Sequence, residues 1–223
     1  MNQKNYLDFE KNYTLKDRMA LKISFESEGK KGEVFSSNIE LFELELHPFG
    51  FDGMVYFSVF EDPAIDELLK SQKTIQIIFS YQNSQQKKKN QQPLEIKGVV
   101  REVISQGIGK ANQSKDIWLY KVYFSDCAKV TWSSHFPIGI YIEKTMKDVI
   151  DGEKNALISL QYECEALNEP SPSLAFSLKY DKNLPDDKQV SFYSFLAWYL
   201  HQVGAALEYK YKENTYKIVG TKS

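Results

Sequence analysis

The period of apolar positions changes several times along the chain. From Ala20 onward, Leu21, Ile23 and Phe25 alternate with Lys22, Ser24 and Glu26, the period of a half-buried strand. Residues 28–33, EGKKGE, predict a turn, because Gly29 and Gly32 supply the backbone freedom of a tight reversal. IELFELEL, residues 39–46, predicts a strand that His47-Pro48 closes, since proline has no donor for a ladder. Residues 54–60 predict another short strand. A short helix then starts at Asp62-Pro63, with Ile65, Leu68 and Leu69 on one face. TIQIIFSY (74–81), LEIKGVVREVIS (94–105) and IWLYKVYF (117–124) are further strands, the last two separated by a turn, GIGKANQSKD. Gly98 inside the second of these predicts a bulge or a bend such as a barrel corner. Short strands at this spacing predict a small antiparallel barrel.

A second unit starts after Trp132. Tyr141, Ile142, Thr145, Met146, Val149 and Ile150 mark a short amphipathic helix ended by Asp151-Gly152. ALISLQYEC (156–164) predicts a strand, NEPSPS (168–173) a turn, and residues 174–180 an extended segment. Ser191 then caps a helix whose face is Phe192, Phe195, Leu196, Tyr199, Leu200 and Val203, with Gly204 at its end. Trp198 falls at the side of that face and is expected to be partly buried, under the next element or at a subunit contact. After Gly204 the period becomes two, and Glu213-Asn214 turns the chain into a final strand, residues 215–219. The fold class is therefore mainly β with a few short helices (α+β). A flexible arm (1–17) precedes a small antiparallel barrel (18–132), and a helix and strand unit follows (133–223).

Composition narrows the class of molecule. With 223 residues, 42% hydrophobic and 26% charged, the chain can bury one large or two small cores. A net charge of -2 gives no general attraction to nucleic acid or anionic lipid. No apolar run approaches the roughly 20 residues of a membrane-spanning helix, and the N-terminal MNQKNYLDFEKNYTLKDR has no apolar export core. Cys127 and Cys164 lack any CxxC or Cys/His neighbourhood, which predicts reduced, core or half-buried thiols in a cytosolic protein. Residues 82–93, QNSQQKKKNQQP, cannot bury enough apolar surface to offset ordering entropy and predict a mobile loop. Its three lysines have no interleaved aromatics on which bases could stack.

The residues with chemical potential do not converge. His47 ends a strand, His135 lies in a loop beside Ser133 and Ser134, and His201 sits in the last turn of a helix. No nucleophile elbow surrounds the serines. GIGK at 107–110 lacks the strand–loop–helix setting of a phosphate loop. Asp186-Asp187 precedes a helix, where negative charge is favourable without any function. No catalytic, cofactor-binding or metal-ligating residue is assigned, and the chain is expected not to be an enzyme.

Five segments in order resemble the N-terminal hub region of VgrG spike proteins and related phage baseplate hub proteins. They are IELFELELHPFGFD (39–52), PAIDELLKSQKTIQIIF (63–79), LEIKGVVREV (94–103), WLYKVYFSDCAKVTWSSHFPIGIYIEKTMKDVI (118–150) and SFYSFLAWYLHQVGAALEYKY (191–211). Gly98 matches the family's strand glycine, whereas Ser71 stands where glycine is usual. Tyr193, Ala197 and Trp198 replace the acidic and arginine positions of the last helix, so subunit contacts there are expected to differ. The resemblance implies a structural, non-enzymatic hub: a homotrimer that adapts a sixfold tube to a threefold spike in a type VI secretion system or phage-like tail. It implies contacts with an Hcp-like tube protein and baseplate proteins, and residence in the cytoplasm before assembly into a secreted or injected spike. Family members continue into a second barrel, a neck and a needle; a chain that stops at Ser223 is a fragment of a longer spike or a short relative. The alternative is a non-enzymatic barrel that binds a glycan or single-stranded nucleic acid, which the tyrosine content permits.

Overall fold

A computed structural model describes residues 19–60, 62–71, 74–83, 92–111, 115–185 and 188–220. The expected arm (1–17), most of the lysine-rich loop and the Asp186-Asp187 pair lie outside the described residues. Seven strands form one antiparallel sheet: β1 (Met19–Ser27), β2 (Lys30–Phe35), β3 (Ile39–His47), β4 (Gly50–Phe60), β5 (Gln76–Asn83), β6 (Leu94–Ala111) and β7 (Lys115–Ser125). Their order across the sheet is β2-β1-β5-β6-β7-β4-β3. In a flat sheet β2 and β3 would stand about 29 Å apart, six strand spacings. Yet a 3₁₀ turn of three residues, Ser36–Asn38, joins them, and its chain can span at most about 14 Å. The sheet must therefore curl until its two edge strands approach each other. Aromatic rings from strands that are not neighbours meet inside the curl: Phe25 with Phe57 at 5.7 Å, Phe42 with Phe79 at 5.6 Å and Phe51 with Phe79 at 5.8 Å. Where a small barrel was expected there is a curled antiparallel sheet, and among the described residues its edges β2 and β3 are not hydrogen-bonded to each other.

Helix α1 (Pro63–Leu69) packs at one end of this curl. Asp62 caps it, accepting from the amides of Ala64 and Ile65, and Ile65, Leu68 and Leu69 are buried as the spacing predicted. Tyr120, inside the sheet, donates to Asp66 at 2.6 Å and so ties the helix to the interior. Beyond β7 come α2 (Cys127–Ser133), β8 (Ile138–Thr145), α3 (Met146–Glu153), β9 (Leu160–Glu163), β10 (Pro170–Ser177), α4 (Phe192–Gln202), β11 (Ala205–Lys210) and β12 (Thr215–Gly220). β8 and β10 form a two-stranded ribbon, while β11, β12 and β9 form a small sheet in which β12 and β9 run parallel. One apolar core runs from Ile23 in β1 through Trp132 to Ile218 in β12.

Several expectations are corrected. The first turn is only Glu28-Gly29, both at positive φ, the geometry that matches strand twist in a two-residue hairpin; Lys30–Glu33 already belong to β2. Most of GIGKANQSKD is strand, because Gly109 at φ +134 and a register shift at Gly107–Gly109 let β6 continue. Gly98 is no bulge. A Cβ there would lie 2.7 Å from the Ser125 carbonyl, so glycine permits a close approach, and the register shift follows at Val100–Glu102. The helix expected from Tyr141 begins only at Met146; Thr145 and Asp148 form a capping box there, and residues 138–145 are strand. Helix α2 was missed, with Asp126 as its cap. The strand expected over 156–164 shrinks to β9, and the NEPSPS turn instead opens β10, where an edge strand tolerates proline.

Gly53 tests how tightly the curl is packed. A Cβ at this position would overlap the Phe124 ring and lie 2.7 Å from the Glu43 carbonyl. Gly53→Ala is expected to cost about 1–3 kcal/mol through overpacking, read as a lower denaturation midpoint. An unchanged midpoint would show that β3 and Phe124 can give way.

Candidate functional site

The site is built where the C-terminal hairpin meets the open end of the curled sheet. Ser191 caps α4, its hydroxyl accepting from the Ser194 amide, and Phe192, Leu196 and Leu200 are buried. Gly204, at φ +63, then reverses the chain so that β11 and β12 lie over residues 47–51 and 95–97. The Tyr209 amide donates to the Pro48 carbonyl at 2.8 Å. The Tyr211 hydroxyl accepts from the His47 amide at 3.0 Å and lies within hydrogen-bond reach of the His47 and Gly50 carbonyls. Asn214, at the hairpin tip, accepts from the Lys97 amide and donates to the Glu95 carbonyl, both at 2.8 Å. It thereby supplies two hydrogen bonds to the backbone of β6.

At the centre of this seam is Asp126, 1% exposed. Its carboxylate accepts from the Lys129 amide at 2.8 Å, the Phe51 amide at 3.4 Å and the Tyr216 hydroxyl. Tyr216 in turn accepts from the Ala128 amide at 3.0 Å. Burial raises the Asp126 pKa above the ordinary carboxylate range, and the hydrogen bonds from Tyr216, Lys129 and Phe51 partly offset it. Burial likewise raises the Tyr216 and Tyr209 hydroxyls and pushes the Cys127 thiol up to about 12. At neutral pH that thiol is protonated and not a ready nucleophile. Asp52, nearer the surface, accepts from Ser125 and pairs with Lys129. These groups hold elements in register; they do not converge on open space.

The residues singled out in the sequence are dispersed. His47 stacks on Phe49 at 5.4 Å. His135 meets the Glu153 carboxylate at 2.6 Å, and Tyr141 donates to the same carboxylate. His201 is exposed in the last turn of α4. Ser133 ends α2, whereas the Ser134 hydroxyl donates back to its helix. GIGK is part of β6. Cys127 and Cys164 are both buried and unbridged. Among the described residues no group of three or more His, Cys, Asp or Glu could hold a metal ion, and no helix is long and apolar enough to cross a membrane. Trp198, expected partly buried, is 58% exposed and touches Phe195; it does not lie beneath the hairpin. The sequence reading missed Asp126 and Tyr216 as a pair. Their signal was faint: an aspartate directly after a strand, and a tyrosine in an alternating one.

No family model and no curated protein matches the sequence at a significant level. Solved structures do match the fold. A chain of the PdpA–VgrG complex in its lidless form superposes with TM-score 0.72 at 17% identity, over 92% of this chain and 36% of that one. A chain of the half-lidded Francisella PdpA–VgrG complex gives 0.70 at 16% identity, over 99% and 35%. The 43 kDa tail protein of prophage MuSo2 from Shewanella oneidensis gives 0.50 at 11% identity, over 91% and 56%. The chain thus spans about a third of the length of the first two, 36% and 35%. At such identities the likeness is one of fold, and that fold is the VgrG- and baseplate-hub-like one.

Proposed function

We propose that this chain is a structural hub component of a contractile injection apparatus, a VgrG-like spike or a phage-like tail, adapting a sixfold tube to a threefold spike. The observation that carries the reading is the likeness to chains of the PdpA–VgrG complex over 92% and 99% of the chain. The order of five sequence segments agrees with it independently. In this reading the chain is a homotrimer, is not an enzyme, and contacts an Hcp-like tube protein and baseplate proteins. It resides in the cytoplasm until it joins a secreted or injected spike. The packing is consistent with a structural role: the interior of the curl is filled by Phe25, Phe57, Phe79 and Phe124, and its ends are occupied by α1 and the C-terminal hairpin.

Light scattering on the protein expressed from its full reading frame is expected to give a trimer. Affinity purification is expected to retain the tube protein of the same gene cluster. A monodisperse monomer with no affinity for tube or baseplate proteins would sink the hub reading. A glycan array and a filter-binding assay would then test the binding-module alternative.

A further inference from the structure

We draw no further inference here: the strongest candidate, the edge of β6 along residues 101–109, which lies beyond the last β5 pairing at Val99 and is mostly exposed, carries none because nothing in the structure shows what covers it.

Discussion

Trp132→Ala is expected to lower stability by about 3–5 kcal/mol, the range for truncating a large buried aromatic. Trp132 is fully buried and joins three helices. It sits in α2, its ring meets Phe192 of α4 edge-on at 5.5 Å, and its indole N–H donates to the Glu153 carbonyl of α3 at 2.9 Å. Glu153 also holds His135 and Tyr141, so a loosened α3 would release the inner face of the ribbon. Trp132→Phe keeps most of the volume and loses the hydrogen bond, and should cost only about 1–2 kcal/mol. Urea titrations of both variants with an unchanged slope would give the comparison directly. Equal losses in the two would mean that the hydrogen bond, rather than the packing, carries the effect.

Tyr216→Phe is expected to cost about 2–4 kcal/mol at neutral pH, because it removes a hydrogen bond to a buried carboxylate and leaves the Ala128 amide without its acceptor. The pH dependence has a definite sign. Burial raises the folded pKa of Asp126, so the stability this group contributes is present below the ordinary carboxylate pKa of about 3.9 and is lost as pH rises through the folded value. The Tyr216 hydroxyl opposes the rise. Its removal lifts the folded pKa further and enlarges the penalty wherever Asp126 is ionised. The difference between wild type and Tyr216→Phe should therefore shrink as pH falls below the folded pKa towards about 3.9. A difference that stays constant or grows on acidification would mean that Asp126 is not the group Tyr216 serves.

Local signals were sufficient where one neighbour decides the structure. The Ser191 cap needs only a side-chain oxygen and the amide three residues on, and it forms as the sequence predicts; the short helix expected beside Asp62 also forms, with Asp62 as its cap. Gly204 reverses the chain because it tolerates positive φ. The alternation of Ile23 and Phe25 with Lys22 and Glu26 is enough to make β1 a strand with one buried face. The signals failed where period and context compete. Tyr141, Ile142, Thr145 and Met146 fit helical spacing, yet the capping box of Thr145 and Asp148 starts α3 only at Met146, and residues 138–142 are paired with β10 as a strand. Trp198 is 58% exposed in the single chain, so its helical neighbours alone do not bury it.

Sequence by itself determined the mainly β class, the caps, the dispersal of histidines and serines, and the hub resemblance in five ordered segments. These depend on residue type and short spacing. Only the tertiary structure decided that the sheet curls until β2 and β3 approach across a three-residue link. It also decided that Asp126 and Tyr216, 90 residues apart, share a buried hydrogen bond, and that β8 leaves its isoleucines exposed. Such features depend on which distant strands pair and in what register. A one-residue slip would turn every side chain of a strand to its other face, and the local alternation of apolar and polar residues does not record which partner sets that register.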